Sequence, residues 1–266
     1  MPDLPLGVVV FFIFWTGACI GSFLNVCICR MPARKSVISP RSACPACGHQ
    51  LSWWENIPLL SYIILRAKCR KCAGHISIQY PVVEFINGLF YVLIWFKYTQ
   101  IVPTAIYCMF FSALLVVTVI DLEHYIIPDI ISVSGIPIGL AASFLLPQLD
   151  WTDSLLGIVA GGGTLYLVAW GYYAITKREG MGGGDIKLLA MIGAFLGWQA
   201  VPAVIFFSAT AGTIIGIAMM LFNNKGRHYA LPYGPFLAGA AVFYLFFGHE
   251  IIEWYIGLLS VQAMPA

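Results

Sequence analysis

Long apolar runs constrain this chain more than any other feature of its sequence. A helix needs about 20 mostly apolar residues to cross the hydrocarbon core of a bilayer. Eight runs approach or reach that length: 6–29, 82–97, 101–121, 126–147, 153–176, 185–199, 201–222 and 231–248. The second and sixth are short, and Pro202 blurs the division between the sixth and seventh. Charged residues make up only 10% of the chain and mean hydropathy is +0.87, whereas a soluble domain carries roughly 25% charge. The expected class is an all-α polytopic membrane protein of about eight transmembrane helices, with the lipid bilayer as its first partner. A net charge of +2 gives no basis for expecting nucleic acid.

The opening apolar run is expected to be a span rather than a removable signal peptide. It is too long for such a segment, and no Lys or Arg precedes it. Basic residues set orientation, because they are retained on the cytoplasmic side. Arg30, Arg34, Lys35, Arg41, Arg66, Lys68, Arg70 and Lys71 fall between the first two spans. Lys177, Arg178 and Lys187 flank the start of the sixth, and Lys225 and Arg227 precede the eighth. With eight alternating spans, these thirteen of the fourteen Lys and Arg residues share one side, and only Lys97 lies on the other. Both termini are then expected outside the cytoplasm. The organisation reads as a first transmembrane helix (1–29), a cytoplasmic insert (30–81), a transmembrane domain (82–248) and an interfacial tail (249–266) bearing Trp254.

The insert carries Cys44-Pro45-Ala46-Cys47-Gly48 and Cys69-Arg70-Lys71-Cys72, two C-x-x-C knuckles with 21 residues between them. Four thiolates so spaced make a closed tetrahedral metal site, which favours a structural role. Pro45 and Gly48 suit the tight turn that points both sulfurs at one ion. A cytoplasmic location disfavours disulfides. Zinc fits better than an iron–sulfur cluster, because separated pairs with turn residues resemble zinc ribbons. The alternative is two unrelated pairs of surface thiols. His49 and His75 flank the knuckles and read as ordinary loop histidines, with ligation as the other option. Cys19, Cys27, Cys29 and Cys108 lie in spans and read as small apolar residues.

Two acidic stretches fall at the same membrane face. Asp121-Leu122-Glu123-His124-Tyr125-Ile126-Ile127-Pro128-Asp129 follows the third span, and Gly180-Met181-Gly182-Gly183-Gly184-Asp185-Ile186-Lys187 opens the sixth. Pro128 suits a helix start, and Asp129 beside it complements the helix dipole. Ionisable residues inside spans are costly and usually functional. At span ends the plainer reading is stronger: Asp185 as a helix cap, and Glu123, His124 and Asp129 as solvated turn residues. Gly182, Gly183 and Gly184 leave the backbone before Asp185 open to close approach, although a flexible loop accounts for them equally. If Asp121 and Asp185 approach each other, the pair shares one proton. One member can then take a proton from water while the other donates to a scissile carbonyl. No Ser/His pairing and no H-E-x-x-H stands out.

Taken in order, these segments resemble the bacterial type IV prepilin peptidases, intramembrane aspartyl proteases of the G-x-G-D class that also includes presenilin. The likeness covers nearly the whole chain. Gly21-Ser22-Phe23-Leu24-Asn25-Val26 with Arg30-Met31-Pro32 resembles the family's opening segment, and the two knuckles resemble its zinc insert. Asn56-Ile57-Pro58-Leu59-Leu60-Ser61-Tyr62 and Tyr80-Pro81-Val82-Val83-Glu84 resemble the segments around the second knuckle. Asp121 to Asp129 resembles the first catalytic motif and Gly182-Gly183-Gly184-Asp185 the second. Leu231-Pro232-Tyr233-Gly234-Pro235-Phe236 resembles a proline-containing segment near the active site.

The resemblance implies Asp121 and Asp185 as catalytic residues supported by Gly182, Gly184 and Pro232. It implies type IV prepilins or type II secretion pseudopilins as substrates, cleaved after the glycine that ends a basic leader, at the cytoplasmic face of a bacterial inner membrane. It also implies N-methylation of the new terminus by S-adenosylmethionine. By motif position only, Glu84, Asn25 and Arg30 are candidates for the methyl-donor site. The plainer reading makes them helix-end polar residues and, for Arg30, a basic anchor. Two readings from other classes remain: an ion-coupled transporter using the acidic pair, and a membrane adaptor whose zinc module binds a partner.

Overall fold

The computed structural model describes residues 5–178, 180–223 and 231–262. The expected Lys225 and Arg227 turn lies outside the described residues, as does the side chain of Trp254. Eight helices form where the apolar runs lie: α1 (Leu6–Arg30), α3 (Gln79–Tyr98), α4 (Ile101–His124), α5 (Asp129–Ser143), α6 (Trp151–Thr176), α7 (Gly183–Leu196), α8 (Ala200–Asn223) and α9 (Gly234–Gln262). A short α2 (Leu60–Ile64) and a 3-10 turn (Trp53–Asn56) lie in the insert. Six of these helices are long and apolar enough to cross a membrane. The other two, α5 and α7, have 15 and 14 residues and reach only about 22 Å, against a hydrocarbon core of about 30 Å. Pro128 caps the start of α5 as expected. Gly197, with φ of +81°, ends α7 before α8 begins at Ala200, so Pro202 falls harmlessly in the first turn of α8. The last helix continues past residue 248, where the tail was expected to begin.

The chain divides into two compact units, Met1–Ile120 and Asp121–Ala266. In the first, α1 packs on α3 through small residues. A Cβ on Gly17 would stand 2.8 Å from the Gly88 Cα, and one on Gly21 would stand 2.7 Å from the Glu84 Cα. Lipid chains are as apolar as the helices, so close backbone contact and buried hydrogen bonds hold such pairs together. The fully buried Asn87 donates to the Gly17 carbonyl at 2.7 Å, and Ser112 of α4 donates to the Asn87 Oδ1 at 2.9 Å. Phe90 stacks on Phe111 with ring centroids 4.2 Å apart.

The second unit is built around α7, which is buried among α5, α6 and α9. Gly157 of α6 and Gly193 of α7 cross with backbones touching, leaving no room for a Cβ on either. Ser154 adds a hydrogen bond to the Ala194 carbonyl at 2.7 Å. On the other side, Gly135 and Gly139 of α5 receive Met191 and the Ala194–Phe195 pair. A helix so enclosed holds its first turn, where Asp185 lies, in a fixed place.

Candidate active site

Both aspartates belong to the second unit and both are buried, Asp121 at 5% and Asp185 at 9% exposure. Asp121 sits in the last turn of α4. That helix ends where Tyr125 turns left-handed (φ +56°), its N–H donating to the Asp121 carbonyl at 2.9 Å. The chain then runs through Ile126 and Ile127 to the start of α5. Asp185 is the third residue of α7, whose N-cap is Gly182.

Ile127 joins the two sites. A Cβ on Gly184 would stand 2.9 Å from the Ile127 Cβ, and a Cβ on Gly234 would stand 3.3 Å from the Ile127 Cδ1. Gly234 opens α9, and its N–H donates to the Asp121 Oδ2 at 2.9 Å. The two glycines and the isoleucine thus close a small assembly that brings Asp121 and Asp185 within electrostatic reach of each other. A Cβ on Gly182 would lie 3.3 Å from the Asp185 Oδ2, so the glycine leaves that oxygen accessible. Tyr233 lies within reach of the Asp185 charge, and its hydroxyl bonds the Ser208 Oγ at 2.8 Å.

The sequence pointed to Pro232 in this segment, but the contact with Asp121 comes from Gly234. The signal was present: a glycine before Pro235 at a helix start, where an N–H is free to donate. Asp129 and Lys187 form an ion pair at 2.7 Å between α5 and α7. Both are exposed, so the pair contributes at most about 1 kcal/mol. Glu123 and His124, expected in a turn, are instead exposed residues of the last helical turn of α4, 3.9 Å apart.

A separate assembly occupies the first unit. The Sγ atoms of Cys44, Cys47, Cys69 and Cys72 all lie within 4.8 Å of one another, with Cys44–Cys72 and Cys47–Cys69 at 3.9 Å. A disulfide needs about 2.05 Å, so these are free thiols. A tetrahedral ion with bonds of about 2.3 Å sets sulfur–sulfur edges of roughly 3.8 Å, which the two 3.9 Å pairs match.

The two knuckles repeat one geometry. Cys44 N–H donates to the His49 carbonyl and Cys69 N–H to the Gly74 carbonyl, both at 2.8 Å. Gly48 and Ala73 both turn left-handed, at φ +68° and +56°. The N–H groups of Cys72 and Lys71 bring the Cys69 thiol down to about 6. At Cys47 the His49 N–H pulls the other way, but burial and the neighbouring sulfurs push the thiol up to about 11. The Cys69 and Cys47 thiols are therefore unequal, and it is the geometry of the four sulfurs that suits them to hold a metal ion. Outside the cluster, His49 lies 3.4 Å from Glu55. The Ser52 N–H, with His49 beside it, holds the Glu55 carboxyl below the usual range.

Left-handed backbone costs a residue with a Cβ about 1–2 kcal/mol. Ala73→Gly is therefore expected to stabilise the second knuckle by about 1 kcal/mol, seen as slower amide exchange at Cys69 and Ala73. Faster exchange would show that the Ala73 methyl group holds the turn.

Next to the cluster lies a cavity of about 410 Å³, lined by Asn25, Arg30 and Glu84 together with Tyr62, Cys44 and Cys69. Its volume falls within the range of small-molecule sites. The Asn25 side chain donates to the Tyr80 carbonyl at 3.0 Å, Arg30 to the Ser36 carbonyl at 3.1 Å, and the Glu84 Oε2 accepts the Leu59 N–H at 2.8 Å. All three candidates named by motif position therefore face one cavity.

The bacterial peptidase A24 N-terminal domain family matches residues 15–98, and the type IV leader peptidase family matches residues 108–217. A prepilin leader peptidase/N-methyltransferase of Aeromonas salmonicida (strain A449) is 35% identical over 272 residues, covering 93% of this chain and 94% of that protein. One from Pseudomonas aeruginosa is 36% identical over 267 residues, covering 90% and 91%. One from Myxococcus xanthus (strain DK1622) is 42% identical over 217 residues, covering 80% of this chain and 64% of that protein. No solved structure matches the chain. On these matches the chain is an enzyme that belongs to the prepilin leader peptidase/N-methyltransferase family.

Proposed function

We propose that this enzyme removes the basic leader of type IV prepilins or pseudopilins after its terminal glycine, at the cytoplasmic face of the inner membrane, and then methylates the new N-terminus. The observation that carries the reading is the buried pair Asp121 and Asp185, joined through Gly184, Ile127 and Gly234. Two buried carboxylates within electrostatic reach of each other hold one proton between them. The ionised member takes a proton from water, which attacks the scissile carbonyl. The protonated member donates to the carbonyl oxygen, and the leaving amine takes the proton that the other carboxyl drew from water as the C–N bond breaks. Gly182 lets the substrate backbone lie close to Asp185, Gly184 admits Ile127 against the start of α7 in place of substrate, and Gly234 fixes Asp121 for the attack.

For the second activity, Asn25, Arg30 and Glu84 would hold S-adenosylmethionine in the cavity beside the knuckles. The donor supplies an electrophilic methyl group to the terminal amine. Zinc held by Cys44, Cys47, Cys69 and Cys72 is structural. The test is the mass of a prepilin after incubation with the purified enzyme, with and without S-adenosylmethionine. Loss of the leader after its glycine, and a methyl group added only with the donor, are expected. An uncleaved prepilin, with the enzyme shown to be folded, would sink the peptidase reading.

Gly234→Ala gives a sharper test of the site. Its methyl group would stand 2.7 Å from the Asp121 Oδ2, so either the carboxylate turns away or the N–H contact lengthens. We expect cleavage to fall by roughly a hundredfold, since misplacement by about 1 Å has that effect. Wild-type cleavage by this variant would show that the Gly234 amide does not position Asp121.

A further inference from the structure

Helix α2 is built inside out for a segment in water. Leu60, Ile63 and Ile64, at helical spacing i, i+3 and i+4, share one face, and they are 45%, 69% and 70% exposed. Ser61, Tyr62 and Leu65 on the other side line the cavity. A surface helix normally turns its aliphatic stripe inward and its polar residues out, so the outward face asks for an apolar environment.

The fold also sets where that face stands relative to the membrane. The Leu59 N–H at the start of α2 donates to the Glu84 Oε2 at 2.8 Å. Glu84 is the sixth residue of α3, roughly 7 Å along that helix from its start. With 20 residues, α3 is just long enough to cross, at about 30 Å. This hydrogen bond therefore fixes the start of α2 level with the outer turns of a span. Helix α3 itself carries an exposed apolar stripe suited to lipid. Val82, Phe85, Leu89, Leu93 and Phe96 are exposed at helical spacing, and Ile78, one turn earlier and 61% exposed, carries the stripe out into the insert. Beyond α2 the exposed Arg66, Lys68, Arg70 and Lys71 follow directly, with the Arg70 guanidinium over the Trp54 ring at 4.9 Å. Basic residues beside an apolar face match anionic lipid headgroups.

We propose that α2 is an interfacial anchor. Leu60, Ile63 and Ile64 seat in the boundary between acyl chains and headgroups, and the basic run after them lies among anionic phosphates. The cavity then opens at the membrane surface, with α2 as the wall between it and lipid. This inference rests on α1 and α3 crossing the membrane and not on the aspartate pair.

The test uses the full chain in nanodiscs of phosphatidylethanolamine and phosphatidylglycerol. The photo-crosslinker p-benzoylphenylalanine is placed singly at Ile63, at Ile64 and, as an exposed control, at Gln50. After irradiation, intact-mass spectra are expected to show phospholipid adducts at least several-fold more abundant at 63 and 64 than at 50. Two sites are used so that one badly behaved variant leaves the other. Absence of lipid adducts at both would overturn the proposal. So would cross-links from these positions to the enzyme's own second unit, or to an added prepilin, in place of lipid.

Discussion

Asp121→Asn and Asp185→Asn are each expected to reduce prepilin cleavage by roughly three orders of magnitude or more, as loss of a group acting within a catalytic unit does. Each substitution keeps size and shape and removes only the acid. The Gly234 N–H can still donate to the amide oxygen at position 121, and the glycine contacts around Ile127 are untouched. Folding is therefore expected to persist, read as an unchanged melting temperature in detergent. The double variant should be little worse than either single one, because in the proposed mechanism the two carboxylates act as one unit. Lys187→Ala supplies a contrast, since its exposed ion pair with Asp129 lies outside that unit. It should leave cleavage within a few-fold of the wild type. Normal turnover by either asparagine variant would remove the dyad from the mechanism.

The second large effect concerns the insert. Cys69→Ser, or stripping the metal with a chelator, is expected to abolish methyl transfer while leaving leader cleavage within a few-fold of the wild type. The binding energy of structural zinc in small domains is about 10–16 kcal/mol, far more than two short knuckles retain without it. Cys44 and Cys69 are also part of the cavity wall, so collapse of the cluster takes the cavity with it. The aspartates belong to the other unit. Equilibrium dialysis with labelled S-adenosylmethionine checks this without turnover: binding should vanish with the metal and return when zinc is restored. Retention of donor binding by the metal-free enzyme would separate the cavity from the knuckles.

Much of this arrangement was legible in the sequence because apolar length and cysteine spacing are local signals. All eight predicted runs became helices, and the four knuckle cysteines converge. The shortness of α7 hid its importance. It is held by glycine contacts with α5 and α6 rather than by length, and glycine pairing across helices leaves no periodicity in one strand of text. Pro232 stood out as a residue type, whereas Gly234 acts through its backbone N–H, which every residue but proline possesses. Asn25, Arg30 and Glu84 could be proposed from motif position, but the cavity they share arises only when α1, α3 and the insert come together. The outward face of α2 was hidden for the opposite reason, because five residues are too few to show which side of a helix faces water.

The crossing of Gly157 with Gly193 has a mechanical consequence. Backbone touching backbone cannot slide without a clash, and a second such contact, Gly161 against the Leu189 carbonyl, lies four residues nearer Asp185, so α7 is held at two points along α6. Asp185 lies four residues beyond the nearer contact, about 6 Å along the helix, so a tilt of roughly 10° would be needed to carry the carboxylate about 1 Å. That is the scale on which catalytic alignment is won or lost. Two backbone contacts resist such a tilt, so the seam between α6 and α7 sets how far Asp185 can drift.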